Sequence, residues 1–512
     1  MVAAGHPLAT LEAVQVLRGG GNAVDAAVCA AAVLAVVKPQ ACGIGGDVFA
    51  LLAPPGSAMV YALNGSGRAP AGATRERFLP AIPEEGIRSA TVPGAVDAWA
   101  QALARFGTRP LGALLEPAIG YAEHGCPVSA HLARSIQLHA ESLRRDPRVA
   151  ALFFRDGQPL AEGELLVQQD LARSLRAIAA DGPGAFYRGE VGQALVRYAE
   201  GQGGHLTMED LAGHTSTWGE SLSTTYRGYI VHQPPPNSWG LLLLLQLNLL
   251  EGLGLGRLAW SAPQRLHLMV EAKKLAFADG ARWLGDPEFT PIPIETLLSK
   301  AYARERRRLI DRQRASLGPE PGLPPAGTDT TYLAVVDERG MAVSWIQSLF
   351  ETFGAQVVAG ETGMWLNNRL TGFTLEPGRP NSLVPGRRPA HTLSPAMAFR
   401  DGHLCLVFGT PSAPGQTQGL TQIFTNLVEF GMELQEAIEA PRWLHLRGSE
   451  LLLEDRFPAR LRAGLARRGH QVVALEPWDT RVGGAQAILV DRERGCLVGG
   501  ADPRRDGYAL GW

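Results

Sequence analysis

The sequence predicts an α+β fold in which strands stack as two sheets with helices outside. Three observations point there. The chain has 512 residues, 46% hydrophobic and 19% charged, ample for a sizeable core. Its 60 glycines and 36 prolines supply the turns of a sheet-rich chain. Apolar, β-branched runs after residue 330 alternate with segments of helical period. The same composition excludes disorder, collagen and coiled coil as whole-chain readings. A formal net charge of −2 argues against a nucleic-acid or anionic-membrane footprint.

Taken in order, Leu8, Leu11, Val14 and Leu17 predict a helix that ends at Gly19-Gly20-Gly21. Asn22 is the expected N-cap of the next helix, with Asp25 in the reciprocal position of a capping box. Residues 23–37 are small and apolar almost throughout, so this helix is expected to be buried on most sides. Cys42-Gly43-Ile44-Gly45-Gly46 forces a loop before a buried strand at 49–52. From about 91 to 310 the pattern is mixed and mainly helical. Turns fall at Pro93-Gly94 and at Asp181-Gly182-Pro183-Gly184. A stiff Gln233-Pro234-Pro235-Pro236-Asn237 loop precedes a helix at 241–250, and 271–279 is amphipathic. Arg304, Arg306, Arg307, Arg308, Arg312 and Arg314 read as a solvated helix face.

Residues 315–329 hold three glycines and four prolines, the composition of a poorly packed connector. A core strand follows at once at 330–337, then an Asp337-Glu338-Arg339-Gly340 turn and a second strand at 341–349. This junction divides the chain into 1–329 and 330–512. Later strands are expected at 404–408, 451–454, 471–475 and 485–490, all within the stacked sheets, with a helix at 417–430.

The five cysteines, Cys29, Cys42, Cys126, Cys405 and Cys496, include no C-x-x-C. No H-E-x-x-H, G-x-S-x-G or Walker A run is present. No metal and no cofactor are therefore expected. The sparse, odd cysteine set suits a reducing compartment, or no structural role for disulfides. No signal peptide is visible, and the longest apolar run, 26–37, is short of the ~20 residues a spanning helix needs. A cytoplasmic location is the expectation; a periplasmic or secreted one stays open because the N-terminus can be trimmed.

A threonine placed at a chain N-terminus can use its own α-amine, with a pKa of roughly 7.7–8.0, as the base for its hydroxyl. The Asp329/Thr330 junction suits the required cut: the upstream side can move away while the downstream side is anchored in a sheet.

The wider motif pattern gives this reading its weight. Gly20-Gly21-Asn22-Ala23-Val24-Asp25-Ala26-Ala27 and Cys42-Gly43-Ile44-Gly45-Gly46 resemble the N-terminal signature of the γ-glutamyltransferase (glutathione hydrolase) family. Thr330-Thr331-Tyr332, Asn367-Asn368-Arg369, Ser394-Pro395, Ala440-Pro441-Arg442 and Asp502-Pro503-Arg504 continue the resemblance in order. It implies an N-terminal-nucleophile hydrolase with a four-layer αββα sandwich, self-cleaved before Thr330 into two fragments that stay associated. Thr330 would be the nucleophile of both cleavage and catalysis, and Ser348 would orient its amine. Backbone N–H groups of Ser412 and Ala413, where the family commonly has two glycines, would form the oxyanion hole. The acyl group would pass to water or an amine acceptor. The resemblance leaves the oligomeric state open, a homo-oligomer included.

Departures from the glutamyl pattern shape the expected pocket. The family's carboxylate-binding Arg is displaced by about two positions, to Arg68. The Asp expected for the substrate's α-amine is absent near Gly372, and a Ser-Ser pair is replaced by His391-Thr392. The pattern resembles the branch that includes oxamate amidohydrolase and cephalosporin (glutaryl) acylase. Arg68, Asn368, Arg369, His391 and Thr392 are the candidate substrate-binding residues, with Arg68, Arg369 and His391 the candidates for carboxylate recognition. The leading reading is a γ-glutamyltransferase/glutathione hydrolase-like amide hydrolase or acyltransferase; an amidohydrolase or acylase for a small carboxylate-bearing amide of oxamate or glutaryl type, and an uncleaved, acid-binding homologue, are the alternatives.

Overall fold

The computed structural model describes every residue except Ala58, residues 318–328 and Ala413. Most of the predicted connector thus lies outside the described residues. Among the described residues, two antiparallel sheets stack face to face. The first has seven strands in the order Tyr508–Leu510, Val2–Ala4, Asp329–Val336, Ala342–Phe350, Asp47–Ala53, Tyr61–Gly65 and Thr217–Glu220. The second has six: Cys496–Ala501, Gln486–Asp491, His403–Gly409, Ala396–Arg400, Tyr229–Gln233 and Leu222–Tyr226.

Three apolar layers account for this stack. Strand side chains alternate between faces with a period of two. In Asp329–Val336, Tyr332, Ala334 and Val336 point into the gap between the sheets, while Leu333 and Val335 meet the outer helices. Asp47–Ala53 divides likewise, with Phe49 and Leu51 inside and Val48, Ala50 and Leu52 outside. Both faces are apolar, so these strands read as continuous hydrophobic runs, as strands covered on two sides do. Met397, Phe399, Val407 and Ile488 close the gap from the second sheet. Helices Gly240–Glu251, Pro263–Trp283 and Gln416–Phe430 cover its other face. The result is the expected four-layer αββα sandwich.

Helix Ala23–Val37 is buried along its whole length against the first sheet. Its capping box forms as expected, with the Asn22 side chain accepting from the Asp25 amide and the Asp25 carboxylate accepting from the Asn22 amide. The preceding helix, Pro7–Arg18, is rotated from the predicted stripe. Ala9, Thr10, Ala13, Val14 and Leu17 face the core, and Leu11 is exposed. Small Ala and Thr side chains allow the close approach to Ala23–Val37 that a Leu stripe would prevent.

Two further expectations need correction. Strands Glu450–Glu454 and Gln471–Leu475 pair in parallel and form a separate three-stranded sheet with Trp443–His445, outside the sandwich. The basic stripe is only partly solvated: Arg307 donates to the Asn248 carbonyl (2.8 Å), and Arg306 pairs with Asp279 (2.8 Å).

Strand Asp329–Val336 bonds to Val2–Ala4 on one side and to Ala342–Phe350 on the other. Strands from before and after Thr330 are therefore interleaved in the first sheet, and both sets contribute adjacent blocks to the second. No described helix is long and apolar enough to cross a membrane.

Candidate active site

Three neighbouring strands build the site at one end of the gap between the sheets. A register shift between Asp329 and Thr331 breaks the ladder at the strand's first residues. Thr330 sits in that irregularity. Ser348 pairs across the next two strands with Asp47, so Thr330, Ser348 and Asp47 lie in a row. Gly46 permits the close approach beside them, because a Cβ there would lie 2.5 Å from the Ser348 carbonyl oxygen.

The hydroxyls around the Asp329–Thr330 peptide form a directed chain. Thr330 Oγ1 lies 2.7 Å from the Asp329 carbonyl oxygen and 3.1 Å from Ser348 Oγ. The Ser348 hydroxyl donates to the same carbonyl (2.9 Å) and accepts from the Phe350 amide (2.8 Å). Ser348 thus polarises the carbonyl that Thr330 faces and stands ready to receive the Thr330 proton. Phe350, which holds Ser348, adopts φ = 91°, a rare conformation for a non-glycine residue and one concentrated at functional sites.

The Asp329 side chain folds back on this peptide. Its Oδ1 accepts from the Thr330 amide (2.9 Å) and pairs with Arg505. Burial alone would raise the Asp329 carboxyl. Arg505, helped by His131 and Lys38, outweighs that and holds it below the usual carboxylate value.

A second charged group lies on the Asp47 side. The Asp47 carboxylate is buried and accepts from the Gly67 amide (2.8 Å) and His391 Nε2 (3.2 Å). Arg369 Nε stands 3.3 Å away. The Leu393 amide donates to His391 Nδ1 (3.4 Å), which fixes the neutral tautomer with its proton on Nε2. Burial, reinforced by Arg369, pushes His391 down to about 4, so the ring is neutral at ordinary pH. Burial also pulls the Arg369 guanidinium down to about 10, opposed by Asp47, and it stays charged. Arg369 stacks on the Phe350 ring at 4.1 Å and reaches Thr392 Oγ1 at 3.4 Å.

The proposed substrate-binding set is therefore only partly brought together. Arg369, His391 and Thr392 form one cluster, but Asp47 already occupies their charge; they are not free carboxylate receptors. Arg68 lies elsewhere in its bonding. It makes a two-pronged contact with Glu288 (2.7 and 2.9 Å) and donates to the Gly386 carbonyl (2.9 Å). Asn368 is a backbone clamp, bonded to the Glu84 carbonyl (3.1 Å), the Glu351 amide (3.2 Å) and the Glu351 carboxylate (3.3 Å). Gly372 is buried and carries no acid.

Of the expected oxyanion pair, Ala413 lies outside the described residues. Ser412 has φ = 87°, a conformation glycine adopts without strain, and its hydroxyl donates to the Arg481 carbonyl (2.6 Å). The neighbouring Thr410 Oγ1 accepts from the Gly484 amide (3.1 Å), which ties the loop to the 480–484 turn. Sequence reading missed Asp47 and Arg505. Asp47 directly follows the Gly-rich loop, and Arg505 directly follows Asp502-Pro503-Arg504; adjacency to a motif was the available signal. A cluster of His267, Glu271 and His470 also brings three potential ligand atoms within 4.8 Å of one another. There the Lys274 ammonium lies 2.8 Å from Glu271, an arrangement unfavourable to a metal ion.

Residues 9–512 match the gamma-glutamyltranspeptidase family model. The chain belongs to that family. Its members are hydrolases and transferases with N-terminal nucleophiles, made as proenzymes. One relative is the glutathione hydrolase-like YwrD proenzyme of Bacillus subtilis, 42% identical over 100% of this chain and 98% of that protein. Another is the acylase ACY 1 proenzyme of Pseudomonas sp. strain SE83, 38% identical over 99% of this chain and 92% of that protein. Among solved structures, cephalosporin acylase from Bacillus halodurans superposes with a TM-score of 0.93 at 37% identity, covering 100% of this chain and 95% of that one.

Proposed function

We propose that this family member cleaves itself between Asp329 and Thr330, and that Thr330 then hydrolyses small amides whose acyl group carries a carboxylate. One observation carries the reading: the Thr330 and Ser348 hydroxyls converge on the Asp329 carbonyl, at 2.7 and 2.9 Å.

In the first step Thr330 Oγ1 attacks the Asp329 carbonyl carbon. The hydroxyl proton passes, with Ser348 as relay, to the Thr330 nitrogen as the C–N bond breaks and an ester forms. Water then hydrolyses the ester, giving the Asp329 carboxylate and a free Thr330 amine and hydroxyl. That amine becomes the base for its own hydroxyl. Substrate attack repeats the chemistry, with the acyl group carried on Thr330 and released to water or an amine. Ser412, from its strained loop, would present a backbone donor to the oxyanion. The fragments 1–329 and 330–512 would stay together because strand Asp329–Val336 is hydrogen-bonded on both sides.

A γ-glutamyl substrate is the second reading, supported by family membership. It needs an anion for the α-amine, whereas Asp47 already faces Arg369 and His391. Denaturing electrophoresis and N-terminal sequencing of the purified protein test the proposal. Two fragments, one beginning at Thr330, are expected. Thr330→Ala should give one uncleaved chain and lower turnover by at least about 10³-fold. A single uncleaved but active wild type would refute the proposal.

A further inference from the structure

We infer that Arg505 is the carboxylate-binding residue of the acyl pocket, and that self-cleavage makes it available by removing Asp329. The inference rests on the reading of Thr330 given above. Before scission, the first acyl group that Thr330 faces is its own neighbour. From the Asp329 carbonyl carbon, two further carbons lead to a carboxylate held by Arg505. That is the skeleton of a succinyl group. Any substrate acylating the same hydroxyl places its carbonyl carbon in the same neighbourhood, and a succinyl group then carries its carboxylate back to Arg505.

Arg505 is built for this role. Its neighbours in sequence are anchored independently. Arg504 pairs with Glu454 (2.6 Å) and Asp502 (3.1 Å), while Asp506 holds Lys38 (3.3 Å) and Ser129 (2.8 Å). Its Nη2 donates to the Thr480 carbonyl (3.1 Å), and its Nε is buried without a hydrogen-bond partner among the described residues. It also packs over Gly484, where a Cβ would lie 2.5 Å from Arg505 Cδ. Gly484 is the residue bonded to Thr410 in the Ser412 loop. Arg505 therefore borders both the nucleophile and the expected oxyanion loop. Once Asp329 departs, the guanidinium is a buried cation without its counter-charge, a situation that strongly favours an incoming anion. Asp47 prevents the same outcome at Arg369, because the chain is not cut beside that carboxylate and it remains after cleavage.

The chain length follows from the geometry. A carboxylate attached directly to the acyl carbon, as in an oxalyl group, falls two carbons short of Arg505. A neutral butyryl group fills the pocket without its charge.

The test compares succinyl- and butyryl-p-nitroanilide on processed wild type and on Arg505→Gln. The wild type should favour the succinyl compound. In the variant that preference, measured as the ratio of kcat/KM values, should fall about 100-fold, chiefly through KM. An unchanged ratio overturns the inference. Calorimetric titration with succinate gives a second measurement that needs no Arg505 variant. Processed wild type should bind succinate, and uncleaved Thr330→Ala, whose Arg505 is still held by Asp329, should not. Equal binding by both proteins overturns the inference even if Arg505→Gln fails to mature. A wild type that never cleaves sinks the processing reading as well, whereas a processed, active wild type with an Arg505-independent preference sinks this inference alone.

Discussion

Two buried arginine–carboxylate pairs flank Thr330, and they differ in how long they last. Arg369 and Asp47 both belong to elements that stay in place, and His391 and Gly67 complete the carboxylate's bonding. Arg505 is paired with Asp329, whose own carbonyl is the proposed scissile group. The first pair is structural before and after processing. On the proposed cleavage, the second is intact only in the precursor. Identical chemistry thus gives a permanent brace on one side of the nucleophile and a temporary plug on the other. Buried ion pairs contribute little to stability for their cost, but losing one partner is expensive. Only the second site turns that penalty to use in binding.

The hydroxyl between the two pairs gives the largest expected effect. Ser348→Ala removes the relay to the Asp329 carbonyl while leaving both ion pairs, so self-cleavage should slow by about 10²–10⁴-fold. Ser348→Thr should restore much of the rate. Time-resolved electrophoresis after refolding checks both.

Breaking the permanent pair comes next. Asp47→Ala leaves Arg369 buried without its counter-charge and should destabilise the protein by roughly 3–5 kcal/mol. Arg505→Gln in processed protein should cost much less, about 1 kcal/mol for the bond to Thr480. Denaturant unfolding checks the difference; equal costs would erase the contrast. The Asp47 site also sets a pH dependence. His391 is neutral in the fold with its pKa depressed to about 4. The unfolded chain binds that proton first, so stability should fall as pH drops from about 6.5 toward 4. Asp47, whose folded pKa is also depressed, adds a further loss below that window.

How much of this was legible in the sequence follows from range. The capping box at Asn22 and Asp25 spans three residues, and its local chemistry sufficed. The linker-to-strand junction marked 329/330 as a suitable place for a cut, and the motif resemblance gave Thr330 its expected role and implied the sandwich. Ser348 followed from the motif resemblance. Charge partners were not legible, because burial and pairing depend on distant chain. Arg369 and His391 meet Asp47 more than 300 residues upstream. Arg68 meets Glu288, 220 residues downstream. Each was therefore read as a free charge when the fold had already supplied its counter-ion. Leu11 was misplaced for a related reason: the tight packing of Pro7–Arg18 on Ala23–Val37 favours small residues over the larger apolar ones.

The smallest effect concerns the loop that sharpens the Arg505 side. Ser412→Ala keeps the strained φ and loses the bond to Arg481, costing about 1 kcal/mol. Ser412→Gly loses the same bond but relieves the strain, and should be closer to neutral. Thermal unfolding of the two variants separates them; a glycine variant less stable than the alanine one would argue against strain at this position.

The most direct test is intact-mass analysis of processed protein, quenched with acid during turnover of a succinyl amide. The 330–512 fragment should gain one acyl group, mapping to Thr330. An acyl group on another residue, or an active preparation whose peptides still span the Asp329–Thr330 bond, would contradict the account.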